Sequence, residues 1–175
     1  ALDVPIPAIR QACGRFLPVE HRLEYVAQAA GLRFYNDSKA TNPEASIQAL
    51  EGFPGERVVL LAGGKDKGTD LADWCRACVA DAEAVVVYGQ AQRRLLEALK
   101  AHGHTAVMQA DDMAAAFAKG TDYLECVGGG VLLLSPACAS FDAFANFEER
   151  GRAYKALVLR WMERLAVSTP EAAGR

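Results

Sequence analysis

Arg57-Val58-Val59-Leu60-Leu61-Ala62-Gly63-Gly64-Lys65-Asp66-Lys67-Gly68 reads as a strand that runs straight into a polar loop. The strand half is continuously apolar rather than alternating. That pattern belongs to a strand buried on both faces, as in a parallel sheet covered by helices on each side. The loop half combines small residues, which allow close backbone approach, with two ammonium groups. It is not a Walker A loop, because Gly68 is followed by Thr69 and not by Lys-Ser/Thr.

Working outward, the same unit repeats. Asp70 to Asp81 reads as a helix, Ala84 to Tyr88 as a second buried strand and Gln90 to His102 as a helix. Thr105 to Met108 is a short strand, Asp111 to Lys119 a helix, and Val131 to Leu134 the last central strand. A long closing helix covers Phe147 to Leu165, with Phe147, Tyr154, Leu157, Val158 and Trp161 near helical spacing. Upstream, Leu23 to Ala29 and Leu32 to Asn36 flank Ala30-Gly31 as a tight hairpin. Pro43 to Leu50 is helical, offering Ala45, Ile47, Ala49 and Leu50 for packing, and Gly52-Phe53-Pro54-Gly55 stops it. The fold expected is α/β: a Rossmann-like, doubly wound, mostly parallel sheet with an N-terminal β-hairpin and helices on both faces.

Two further polar stretches fall where strands end. Asn36-Asp37-Ser38-Lys39-Ala40-Thr41-Asn42 follows the hairpin, with Asn42 a candidate N-cap and Pro43 suited to the first helical position. Ser135-Pro136-Ala137-Cys138-Ala139-Ser140-Phe141-Asp142 follows the last central strand. Open α/β sheets bind ligands outside their strand C-terminal ends, and helix N-termini there offer free N–H groups to anions. The three loops are therefore expected to converge on one site.

Composition narrows the function classes. The chain has 175 residues, 51% of them hydrophobic, enough for one sizeable core. A formal charge of −3 leaves no basic excess for a general nucleic-acid binder. No apolar run approaches membrane-spanning length. Five cysteines, an odd number at irregular spacing, point to reduced thiols and a cytoplasmic setting. Trp74-Cys75-Arg76-Ala77-Cys78 echoes a redox motif, but it lies inside a predicted helix, where neither thiol is activated. Cys138 has no evident His partner and reads as a small buried residue. His102-x-His104 has no second pair with zinc-ligand spacing. A dinucleotide-dependent oxidoreductase is disfavoured, since no Gly-x-Gly-x-x-Gly follows the first parallel strand.

Asn36-Asp37-Ser38-Lys39-Ala40-Thr41-Asn42, Gly63-Gly64-Lys65-Asp66-Lys67-Gly68 and Leu134 to Asp142, with Phe144, Asn146, Phe147, Glu148 and Arg150-Gly151 behind, resemble in order and spacing the C-terminal domain of the bacterial Mur ligases. His21-Arg22 fits as well, and the resemblance runs from about Phe16 to Leu165. It implies an ATP-dependent ligase that adds D-glutamate to UDP-N-acetylmuramoyl-L-alanine in cell-wall synthesis, through an acyl phosphate, with Mg2+ held mainly by a central domain. By the resemblance, Thr41, Lys67, Ser140 and the backbone at Phe147 hold D-glutamate, with Phe141 and Asn146 lining the pocket. Arg22, Asp37 and Lys39 face ATP. Residues 1–19 are then the tail of a preceding domain and a linker, 20–166 the amino-acid-binding domain and 167–175 a disordered tail. No Gly-Lys-Ser/Thr phosphate loop occurs in the sequence. The expectation is a monomeric fragment, inactive alone and binding neither nucleic acid nor membrane. Alternatives are the corresponding domain of another Mur-type or folylpolyglutamate ligase, or a stand-alone amino-acid-binding or regulatory module.

Overall fold

The computed structural model describes residues 4–15 and 19–168. A helix α1 (Ile6–Arg15) precedes the hairpin β1 (Glu24–Ala29) and β2 (Leu32–Asn36). There follow α2 (Pro43–Leu50), β3 (Val58–Gly63), α3 (Ala72–Asp81), β4 (Ala84–Tyr88), α4 (Gln92–Ala101), β5 (Val107–Ala110), α5 (Met113–Cys126), β6 (Gly130–Leu134) and α6 (Phe147–Ser168). One six-stranded sheet has the order β1-β2-β6-β3-β4-β5. Only the β1–β2 pairing is antiparallel. The hairpin turns on Ala30 and Gly31, both at positive φ (49° and 79°), which suits the twist of a two-residue loop.

The apolar runs explain the layers. Val58, Leu60, Val85, Val87, Val131 and Leu133 face α2, α3 and α4, meeting Leu50, Trp74, Cys78, Leu95 and Leu99. Their neighbours Val59, Leu61, Val86, Leu132 and Leu134 face α5 and α6, meeting Phe117, Leu124, Tyr154, Val158 and Trp161. Every residue of β3 and β4 is buried, as expected for central strands covered on both faces.

Apart from shifts of one or two residues at other element ends, the differences from expectation are these. Helix α5 runs to Cys126 rather than stopping at Lys119. Gly120 and Thr121 do not break it: a Cβ at position 120 would stand 2.5 Å from Leu132 Cδ1, so the missing side chain lets the helix lie on the sheet. Strand β5 begins at Val107, not Thr105. Helix α6 continues past the expected end at Leu165, through Val167 and Ser168 of the expected tail; residues 169–175 lie outside the described residues, as do 1–3 and 16–18 of the leading segment. On α2 the buried face is Pro43, Ser46, Ala49 and Leu50, with Ala45 and Ile47 only half-buried.

Ser46 is buried because it is a relay. Its hydroxyl donates to Ser135 O (3.0 Å) and accepts from Trp74 Nε1 (3.1 Å), joining α2, α3 and the end of β6. Ser46→Ala strands a buried indole N–H and a carbonyl. The expected loss is about 1–3 kcal/mol, read as a lower urea midpoint at unchanged slope.

Candidate functional site

The C-terminal ends of β2, β6 and β3 are stitched together by their own backbone. Asp37 N–H donates to Leu134 O (2.7 Å), Gly63 N–H to Pro136 O (2.9 Å) and Lys65 N–H to Ala139 O (2.8 Å). Gly64 sits where a Cβ would meet Ala139 O at 2.2 Å, at φ +130°, so this approach requires glycine.

Beneath the junction lies Arg150 of α6, with no exposed surface. Among the described residues it has no carboxylate partner. Its Nε donates to Ser38 Oγ (3.0 Å), Nη2 to Ser38 O (2.9 Å), and Nη1 to Cys138 O (3.0 Å) and Gly63 O (3.4 Å). One guanidinium fork thus fastens all three loops to α6. Ser38 Oγ in turn donates to Phe147 O (2.7 Å), fixing the start of that helix.

Above this anchor a cleft of about 290 Å3 is lined by Thr41, Lys67, Ala139, Ser140, Phe141, Asn146, Phe147 and Glu148. All six residues expected to contact the amino acid therefore line one cavity, drawn from three loops and a helix N-terminus. Lys67 Nζ donates to Thr41 O at 2.9 Å. Arg94 of α4 braces the Lys67 loop, with Nη1 2.8 Å from Asp66 Oδ1, which also accepts from Gly68 N–H (2.9 Å). Asn146 caps α6 by accepting from Glu149 N–H (2.8 Å), which leaves the Phe147 and Glu148 N–H groups at the cleft without helical acceptors. Phe141 is 65% exposed and stands at the mouth, while Ser140 is buried in the wall.

A second cleft, of about 310 Å3, is lined by Arg22, Leu23, Asp37, Lys39, Ala40, Ala45, Gln48 and Ala49. It gathers the three residues expected to face a nucleotide. Asp37 is buried and accepts from Leu23 N–H (3.1 Å) and Ser135 Oγ (2.8 Å). Burial raises its carboxyl above the usual value, against those hydrogen bonds and the nearby Arg22. A carboxylate has about four acceptor directions, so two remain for a ligand hydroxyl. Lys39 Nζ lies 5.3 Å from the centre of the Phe147 ring, which packs edge-on against His21. Phe147 thus separates the clefts, its N–H in one and its ring under the other's cation. Arg22 and Lys39 are exposed cations on the rim, of the charge that suits phosphate.

His21 is almost wholly buried, held at φ 64° and pressed against Gly151, where a Cβ would stand 2.2 Å from Nδ1. Asn36 Nδ2 donates to that Nδ1 (2.9 Å). Burial lowers the proton affinity of both His21 and His104 below the ordinary 6.5. Between the lowered values and 6.5 the unfolded chain binds protons that the folded chain refuses. Their contribution is therefore complete above 6.5 and declines as pH falls through the folded values. Urea unfolding at about pH 5.5 should give a smaller free energy than at about pH 7.5, and the pair His21→Asn and His104→Gln should reduce that difference.

Other chemistries lack support in the geometry. Cys75 and Cys78 are buried on α3, the first pushed up to about 11 by burial and the second well above its ordinary value, so neither is an activated thiol. Cys138 is likewise pushed up to about 11. His104 makes a ring contact with Ala82 O (3.2 Å). Among the described residues, Glu20, His21 and Glu24 cluster closely enough to share an ion. Lys155 Nζ already sits 2.7 Å from Glu20 Oε1 and 3.0 Å from Glu24 Oε1, so that cluster does not fit Mg2+. No helix among the described residues is long and apolar enough to cross a membrane.

A family model described as Mur ligase, glutamate ligase domain, matches residues 21–138. The chain belongs to the Mur ligase family. Among curated relatives of this Mur ligase domain is the UDP-N-acetylmuramoylalanine–D-glutamate ligase of Pelotomaculum thermopropionicum, 46% identical over 159 residues, covering 91% of this chain and 34% of that protein. The ligase of the same name from Lachnoclostridium phytofermentans is 40% identical over 160 residues, covering 90% and 34%. The chain spans about a third of the length of these relatives. Two solved structures share the fold. MurF from Acinetobacter baumannii gives a TM-score of 0.58 at 18% identity, covering 93% of this chain and 35% of that one. Mycobacterium tuberculosis folylpolyglutamate synthase complexed with ADP gives 0.60 at 19%, covering 89% and 36%.

Sequence reasoning gave no role to Arg150, Arg94 or Ser46 in this Mur ligase domain. Arg150 stands directly before a glycine and after two glutamates, which reads as an exposed helix turn. Its buried partners are mostly carbonyls, which leave no mark on composition.

Proposed function

We propose that this chain is the amino-acid-binding domain of an ATP-dependent ligase that joins D-glutamate to UDP-N-acetylmuramoyl-L-alanine in cell-wall synthesis. The observation that carries the reading is the single cleft lined by Thr41, Lys67, Ser140 and the N-terminus of α6. A five-carbon amino diacid presents two carboxylates, and the cleft offers two separate anion sites. Lys67 answers one as a point charge; the Phe147 and Glu148 N–H groups answer the other through the helix dipole. Thr41 and Ser140 add hydroxyl hydrogen bonds, and Phe141 closes the mouth. Holding both ends of the molecule orients its nitrogen for attack on an activated carboxyl.

The neighbouring cleft serves the nucleotide. Arg22 and Lys39 would hold phosphate charge and Asp37 would accept from ribose hydroxyls. ATP supplies the activation of the acceptor's carboxyl, and Mg2+ is bound by residues outside this chain. Residues 20–166 form the binding domain, acting in the cytoplasm as part of a monomer, and the 175 residues alone give no turnover.

The test is phosphate release by the longer polypeptide that carries this chain. Release should require ATP, UDP-N-acetylmuramoyl-L-alanine and D-glutamate together. Turnover with L-glutamate and a folate instead, or turnover by the 175 residues alone, would overturn the assignment.

A further inference from the structure

The amino-acid cleft contains one acidic group. Glu148 lines it beside Thr41, Lys67 and Ser140 and is half-buried. Among the described residues its carboxylate makes no hydrogen bond or ion pair. Lys67, the cation of the same cleft, donates to the Thr41 carbonyl instead. A carboxylate in a first helical turn ordinarily complements the dipole. Glu149, the next residue, already does so from the exposed side, its Oε2 accepting from Ala145 N–H at 2.7 Å. A second carboxylate facing the cleft weakens an anion site, unless the ligand brings a cation.

An amino diacid brings one. Its charges are two negative and one positive, and the cleft presents Lys67, the α6 N-terminus and Glu148. We propose that Glu148 accepts the α-ammonium group of the amino-acid substrate. It is thereby the residue that distinguishes an amino diacid from a plain dicarboxylate of equal length. The inference rests on the function proposed above and assigns a third contact within that site. Lys67 and the helix N-terminus fix the ends of the ligand, and Glu148 fixes the side to which its nitrogen points.

The test is calorimetric titration of the 175-residue chain with D-glutamate and with glutarate, which lacks only the amino group. Glu148→Gln should weaken D-glutamate binding about tenfold or more, the scale of a lost charge-assisted hydrogen bond. It should leave glutarate binding unchanged or tighter, since a repelling carboxylate is gone. Lys67→Met should weaken both ligands, which calibrates the ratio. An equal effect of Glu148→Gln on both ligands, or no effect on D-glutamate, would overturn the assignment to the ammonium. Failure of the unaltered chain to bind either ligand would instead remove the proposed function, and this contact with it.

Discussion

Arg150→Met is expected to cost about 3–5 kcal/mol of folding stability, the sum of several buried acceptors left unpaired and a large share of the roughly 5–15 kcal/mol typical of a domain. The side chain is fully buried and of similar volume to its replacement, so lost packing is not the cause. The cost lies in what is left behind. Ser38 O, Cys138 O, Gly63 O and Ser38 Oγ each lose a donor in a region that water does not reach. Arg150→Lys keeps the charge but cannot span four acceptors with one compact ammonium, so it should fall between. Urea titration decides the matter: a midpoint shift worth under about 1 kcal/mol for the Met variant would mean the loops are held by other contacts.

The second large effect concerns Lys67. In the ligase proposed above, Lys67→Met should raise KM for D-glutamate about 10- to 100-fold, the range expected for one charged hydrogen bond. The dependence on ATP should change far less, because Lys67 lies in the other cleft from Arg22, Asp37 and Lys39. A variant with unchanged KM would take Lys67 out of the binding site. Arg94 makes the prediction sharper. It grips Asp66, one residue away, so Arg94→Ala should reproduce part of the Lys67 defect by loosening the loop while every cleft side chain remains.

The sheet was legible because continuous apolar runs have few other uses. Arg57–Ala62, Ala84–Tyr88 and Val131–Leu134 could hardly be anything but central strands, and the polar loops after them marked the rim. Asn42 was legible as a cap because Asn-Pro before an apolar helix leaves little choice; its Oδ1 does accept from Ala45 N–H at 2.8 Å. What stayed hidden depends on tertiary contact. Gly120 looks like a helix breaker until Leu132 is seen beneath it. Ser46 looks like a surface residue until Trp74 and Ser135 are seen around it. Arg150 and Glu148 are two charges in one short stretch, and only packing shows that one is an internal anchor and the other faces the cleft.

A single cavity at the strand ends is proposed to take an amino diacid. Amide chemical shifts of the isotopically labelled chain, followed during addition of D-glutamate, test it most directly. Thr41, Lys67, Ser140 and Phe147 should shift together along one binding curve, with the opposite end of the sheet silent. Shifts confined to other regions, or different curves for these four residues, would contradict it.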